Sequence, residues 1–324
     1  MAEWLYEAGI GEARAALVED GEIVEARIER EGDGPRVGAV VAARLVEPGK
    51  LILDTPGEPT ATVTGLARSV ALGSKLTVEI IRMGLRERGR DKPARARLAE
   101  AGASVNAGPD LRARIESTDI PVTEVHATGE DRLEAAGWSE LIDHIRTGRW
   151  PFDGGELWVD ATPAMLLIDI DGDGDPMALA RAGARAAVHV IRCCDVGGSI
   201  GIDFPSLPRR AERLAIDALV DEWLPQPFER TGTNGFGLMQ IIRRRERPSL
   251  IEQIRFDSVA TDAALLLRQA ERSVGTGVLT LNARPAVAAL VEAHPAWLHM
   301  LQTRTGRPVQ IVANAQVKGS GHAQ

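Results

Sequence analysis

The sequence is poor in aromatic residues, in cysteine and in positive charge. Its 324 residues include five Phe, six Trp and one Tyr, and none of these lies between Tyr6 and Trp138. That long stretch therefore has no ring on which a nucleic-acid base could stack, a contact worth roughly 1–3 kcal/mol per base where it exists. The two cysteines, Cys193 and Cys194, are adjacent, a spacing that rarely meets disulfide geometry and supplies only part of a zinc shell. They read as free thiols in a reducing compartment. The six histidines are scattered and none stands at zinc-ligand spacing from the cysteines, so no zinc is expected. No run of eighteen apolar residues occurs, and no membrane partner is expected. The opening MAEWLYEAGIGEAR lacks a basic segment leading into an apolar core, which makes the cytoplasm the default location. A net charge of −8 argues against indiscriminate nucleic-acid binding by the whole surface.

What is present describes a globular protein of about two or three domains: 44% of the residues are hydrophobic and 26% charged. Basic residues gather in three places, RERGRDKPARAR (Arg86, Arg88, Arg90, Lys92, Arg95, Arg97), PRRAER (Arg209, Arg210, Arg213) and RRRER (Arg243, Arg244, Arg245, Arg247). Any one cluster is accounted for by a solvated helix face or loop. Three in an acidic chain are candidates for a local basic groove.

Along the chain, RAALVEDGEIVEARIE holds two alternating segments joined at Asp20-Gly21, a hairpin signal. From 36 to 85 short β-branched runs separated by Gly and Pro predict a small barrel, and 98–137 reads as a mixed connection. GWSELIDHIRTGRWP predicts a short helix with Leu141, Ile142 and Ile145 on one face, closed by Gly148. GGELWVDATPAMLLIDID follows as two strands split at Thr162-Pro163. Asp175 is a candidate N-cap, with Pro176 opening an alanine-rich helix. SIGIDF is a strand ending on Asp203, and RRAERLAIDALVDEWL a helix with Ala211, Leu214, Ala215, Ala218, Leu219 and Trp223 as its apolar stripe. The middle of the chain is thus α/β, and 258–315 repeats helix and strand signals in what reads as a small α/β domain.

Four aspartates alternate in IDIDGDGD (Asp169, Asp171, Asp173, Asp175). A calcium loop counted from Asp169 fits at positions 1, 3, 5 and 6, but position 12 is Ala180 where a bidentate Glu is needed, and a strand rather than a helix precedes it. Asp169 and Asp171, at i and i+2 of a strand end, project to one face. If the strand ending at Asp203 lies alongside, three carboxylates converge, an all-oxygen set suited to Mg²⁺ or Mn²⁺. On spacing alone, an acidic turn remains the alternative.

GGELWVDATPAMLLIDIDG, RCCDVGGSIGIDFPSLP and NGFGLMQIIRRRERPSL, in this order over about 151–254, resemble the catalytic segments of the ribonuclease E/G family. The hairpin AALVEDGEIVEARIE is similar to that family's N-terminus. The resemblance implies an α/β (α+β multidomain) chain with a ribonuclease-H-like part (1–35 and 98–150), an inserted OB-type β-barrel (36–97), a DNase I-like catalytic domain (151–254) and a small C-terminal α/β domain with a polar tail (255–324). It makes Asp169 and Asp203 the Mg²⁺-binding catalytic pair, with Asp171 where the family usually has asparagine. The implied reaction is endonucleolytic hydrolysis of single-stranded RNA to 5′-phosphate and 3′-hydroxyl ends. Arg243, Arg245 and Arg247 match basic positions of the family; with Arg209, Arg210, Lys92 and Arg95 they are the expected RNA contacts. The chain departs from the family in three ways. The Cys-Pro-x-Cys zinc link is absent, so any homodimer would form without zinc. The domain that senses a 5′-monophosphate is also absent, and Gly235 stands where the family usually carries arginine. The rival expectation is an RNA-binding protein that keeps the fold with little or no turnover.

Overall fold

At Asp20-Gly21 the chain reverses between β2 (Glu12–Glu19) and β3 (Glu22–Arg30), both turn residues having positive φ (52° and 90°) as a two-residue hairpin requires. These details come from a computed structural model that describes all residues except Arg68, Arg88 and Gly89, and for Arg90 the backbone alone. The basic position Arg88 and the Arg90 side chain, singled out above, lie outside the described residues. Among the described residues the protein is mixed α/β, with nine helices, several sheets and one closed five-stranded barrel, and no helix is long and apolar enough to cross a membrane.

The hairpin belongs to a four-stranded sheet in which β1 (Glu3–Ala8) pairs antiparallel with β2. The barrel follows in the chain: β4 (Val40–Glu47), β5 (Lys50–Leu53), β6 (Thr60–Val63), β7 (Lys75–Arg82) and β10 (Ala94–Leu98), closed in the order β10-β6-β5-β4-β7. A two-stranded arm, β8 (Leu85–Glu87) and β9 (Arg90–Lys92), projects between its last two strands. The segment read as a mixed connection carries α1 (Leu111–Glu116) and β11 (Val122–Glu124), which pairs parallel with β1. Then come α2 (Arg132–Ala135) and α3 (Trp138–Thr147), the latter stopped by Gly148 in the left-handed conformation.

The sheet that carries the aspartates has six strands in the order β12-β13-β14-β15-β17-β16. They are β12 (Arg149–Phe152), β13 (Gly155–Ala161), β14 (Leu166–Gly172), β15 (Gly198–Asp203), β16 (Phe228–Arg230) and β17 (Leu238–Arg243). Between them run α4 (Pro176–Cys193) and α5 (Arg210–Trp223). One face of the sheet is apolar and covered: Ile168, Ile170, Ile200, Ile202, Met239 and Ile241 are buried in the same core as α4, each contributing about 1.5–3 kcal/mol by leaving water. Helix α4 approaches β14 closely because Gly183 has no side chain; a Cβ there would lie 2.4 Å from Ile170 Cγ2. Helix α5 corrects one expectation. It buries Ile216, Asp217 and Val220, while Ala211, Leu214, Ala215 and Ala218 of the stripe read from sequence are exposed. The alanines suggested one face, but the two β-branched residues on another outweigh them in apolar area.

The chain closes with α6 (Leu250–Phe256), α7 (Ser258–Glu271), β18 (Leu279–Ala283), α8 (Pro285–Glu292), α9 (Pro295–Thr305), β19 (Val309–Ala313) and β20 (His322–Ala323), the last three strands forming one small sheet around its own core. A buried ionic network joins this end to the N-terminal sheet. The Glu7 carboxylate pairs with Arg14 at 2.7 Å, Arg268 at 2.9 Å and Arg272 at 3.0 Å, and Arg14 also donates to the Ala264 carbonyl of α7.

Burial alone would raise the pKa of Glu7, but the charges of Arg14 and Arg268, with hydrogen bonds from Arg268 and Arg272, outweigh it and hold the carboxyl below its usual range. An unfolded glutamate titrates at about 4.3, so the stabilisation is present above that pH and is lost as pH falls through the lower folded value. Glu7→Gln is expected to cost about 3–5 kcal/mol in urea unfolding at neutral pH, because it strands buried arginines. The deficit relative to the parent should shrink below about pH 4.

Candidate active site

Two strands position the carboxylates. β14 and β15 pair in parallel with Leu166 opposite Ile200, Ile168 opposite Ile202 and Asp169 opposite Asp203. Strand alternation then sorts the side chains. Leu166, Ile168 and Ile170 face the covered core, and Leu167, Asp169 and Asp171 face outward. On β15, Ile200 and Ile202 are buried while Ser199 and Asp203 are exposed. Adjacent strands lie about 4.8 Å apart, so Asp169 and Asp203 are direct neighbours and Asp171 stands one pleat further on. This is the carboxyl end of two parallel strands, where open α/β sheets expose their ligand sites. Helices α4 and α5 both start just beyond it.

The electrostatics agree with that placement. Partial burial, then the negative charges of Asp203 and Asp171, raise the Asp169 carboxyl above its usual range. Among the described residues no three acidic, histidine or cysteine side chains already form a metal-ligand group. The aspartates are therefore a row of neighbours rather than a closed shell. Mg²⁺ is held by one or two carboxylates and keeps several waters, so a neighbouring pair with a third oxygen donor nearby has the right chemistry for it. Asp175 serves the helix: its side chain accepts from Ala178 N at 2.8 Å as the N-cap of α4, with Pro176 in its first turn. Ala180, at the twelfth calcium-loop position, is fully buried on that helix.

The basic residues are dispersed. Arg209 and Arg210 open α5, exposed, six and seven residues after Asp203 and at the same end of the sheet. Arg243 is not there. It lies on the covered parity of β17 with Met239 and Ile241, and its guanidinium donates to the Val196 carbonyl at 2.8 Å and the Ile191 carbonyl at 3.5 Å. Burial, first among the causes, lowers its pKa. Arg245 pairs with Glu87 at 3.3 Å and with Glu252, and Lys92 reaches the same Glu87 at 2.5 Å. These two line a cavity of about 190 Å³ with Thr162–Leu166 and Val196–Ser199, at the amino ends of β14 and β15, opposite the aspartates. Arg247 is half-buried beside Arg27, Arg114 and Asp195, 3.6 Å from Glu246. Arg95 is exposed on the barrel. Arg243 and Arg245, both expected RNA contacts, are bonded internally, Arg243 to carbonyls at the end of α4 and beyond it, Arg245 to the arm and α6.

Two aromatic residues that the sequence reading passed over flank the aspartates. Trp158 of β13 pairs directly opposite Asp169 and is 46% exposed; Phe236, two residues before the Asp203 partner Leu238, is 88% exposed. No sequence signal marked them, because only the strand pairing brings Trp158 opposite Asp169 and the turn before β17 close to Asp203. The cysteines are free and buried at the end of α4.

If Asp175 serves only the helix, Asp175→Ala should lower stability by about 1 kcal/mol in urea unfolding and leave any phosphodiester hydrolysis by the protein unchanged within twofold or so. A loss of hydrolysis larger than the loss of folded protein would place Asp175 in the chemistry. No protein-family model matches this chain and no curated protein matches it, so the arrangement of these side chains is what a functional reading stands on.

Proposed function

We propose that this protein is a Mg²⁺-dependent endoribonuclease acting on single-stranded RNA. The observation that carries the reading is the parallel register of β14 and β15, which sets Asp169 beside Asp203 on an uncovered sheet face with Asp171 adjacent. The three segments resembling ribonuclease E/G catalytic motifs are those that build this edge: the β13–β14 hairpin, β15, and β17 with the turn before it. The fold supports the same reading. Three antiparallel strands with a parallel fourth beside β1 suit a ribonuclease-H-like part, the five-stranded closed barrel inserted after β3 suits an OB-type module, and the six-stranded sheet suits a DNase I-like domain. Fold analogy alone would not assign activity; the placement of the carboxylates is what supports it.

In this reading Asp169 and Asp203 hold the cation, and Asp171 adds a third oxygen donor where an amide would be neutral. When bound, Mg²⁺ supplies activation of a water and stabilisation of the charge that builds at phosphorus. Hydrolysis of the P–O3′ bond leaves a 5′-phosphate on one fragment and a 3′-hydroxyl on the other. Arg209 and Arg210, exposed at the start of α5, hold the RNA backbone at the site, and Arg95 offers a more distant contact on the barrel. A protein that only binds RNA would have no use for three carboxylates aimed at a polyanion.

The test is incubation of an A/U-rich single-stranded RNA with the purified protein in Mg²⁺ or in EDTA, beside Asp169→Asn and Asp203→Asn. Cleavage should require the metal and fall at least about a hundredfold in either variant, the scale seen when one group that stabilises transition-state charge is removed. Mg²⁺ should also raise the melting temperature of the parent more than that of the variants. Cleavage that survives both substitutions would sink the site, and binding without cleavage under any divalent cation would favour an RNA-binding role.

A further inference from the structure

The uncovered face beside the aspartates is not uniformly polar. Across neighbouring strands it presents an aromatic ring and two carboxylates, Trp158 on β13, Asp169 on β14 and Asp203 on β15, and a second ring, Phe236, stands in the turn that leads into β17, two residues before the Asp203 partner Leu238. At about 4.8 Å per strand the step from β13 to β17 spans roughly 14 Å. We propose that Trp158 and Phe236 are base-stacking platforms that hold the nucleotides on either side of the scissile phosphate. The inference rests on the ribonuclease reading above and names how the same site grips its strand.

The Trp158 ring and the backbone beneath Phe236 are held in place by the protein. Trp158 lies under the Arg149 guanidinium, 4.8 Å from ring centre, and Arg149 is itself fixed by Glu156, its Nη2 at 2.8 Å and its Nε at 3.0 Å from Oε2. Phe236 sits on a turn in which the Asn234 side-chain oxygen accepts from Phe236 N at 2.8 Å and Leu238 N at 3.2 Å. Gly237 has φ of +93°, and a Cβ there would lie 2.3 Å from the Phe204 carbonyl. The turn is thereby pressed against the residue that follows Asp203, and Phe204 N donates to Gly237 O at 3.1 Å. The backbone that carries the Phe236 ring is thus fixed, and the ring itself is 88% exposed.

The charges favour a nucleic-acid strand gripped by its bases. Asp169, Asp171 and Asp203 repel phosphate until they are neutralised, and Arg149 on this face is already paired with Glu156, which leaves Arg209 and Arg210 at the start of α5 as exposed cations for the backbone. Part of the attraction must then come from contacts that ignore charge. Stacking does so for any base, because every base has a π-face.

The test measures binding of a short single-stranded RNA, and of the same oligomer made from abasic nucleotides, by full-length protein carrying Asp169→Asn and Asp203→Asn so that turnover does not intervene. Trp158→Ala and Phe236→Ala should each weaken RNA binding roughly tenfold, and abasic binding should be weak and insensitive to both. Val274→Ala, at an exposed position of the small domain, is the control. RNA should quench tryptophan fluorescence, and Trp158→Phe should keep the affinity while losing much of the quench. In the cleaving parent the same substitutions should raise KM more than they lower kcat. Unchanged affinity, or equal losses with abasic oligomer, would overturn the stacking role while leaving metal-dependent cleavage, and so the ribonuclease reading, intact. Loss of self-association with unchanged RNA affinity would assign the rings to a second copy of the chain and also overturn it. A parent that neither binds nor cleaves RNA would remove both readings.

Discussion

The in-register parallel pairing of β14 and β15 is the constraint on which the rest of the site depends. Parallel neighbours need a crossover between them, and α4 supplies it on the face where Ile168, Ile170, Ile200 and Ile202 are buried. The period of two in each strand then forces Asp169 and Asp203 to the opposite face. A slip of one residue would turn the aspartates into the core and the isoleucines into water. Thus the hydrophobic effect that assembles the sheet also sets the two carboxylates side by side, and their mutual repulsion is a consequence of packing on the far side.

The second constraint is ionic. Glu7, Arg14, Glu12 and Arg30 on the N-terminal sheet, with Arg268 and Thr261 on α7 and Arg272 at its C-cap, form a buried set that joins parts of the chain more than 200 residues apart. Replacing such a set by apolar residues need not destabilise, whereas removing one member does. Many arginines of this acidic chain form ion pairs between elements, Arg245 with Glu87 and Glu252 among them, and Arg243 bonds to backbone carbonyls.

This division bears on function. A groove lined by free cations would attract RNA anywhere along its backbone. Here the arginines are mostly committed internally, and the face that carries the aspartates displays aromatic rings instead. If the rings stack bases as proposed, affinity depends on unstacked bases, which a duplex does not offer, and so on single-stranded substrate. The barrel contributes exposed charge at Arg95 but no aromatic residue.

The sequence specifies on its own those local elements that rest on short-range rules. These include the Asp20-Gly21 hairpin, the Gly148 stop of α3, the Asp175-Pro176 start of α4, and the shared face of Asp169 and Asp171. Turn chemistry, capping and alternation act within a few residues and so can be read directly. It did not determine the face of α5, where small and large apolar residues on different sides compete and only packing against α4 decides. Nor did it reveal that β14 and β15 are neighbours in register, that Arg243 points into the covered side, or that Trp158 and Phe236 stand next to the carboxylates. Each of these depends on contacts between segments tens of residues apart, and such contacts are settled by how the sheet, its helices and its arginine pairs close together.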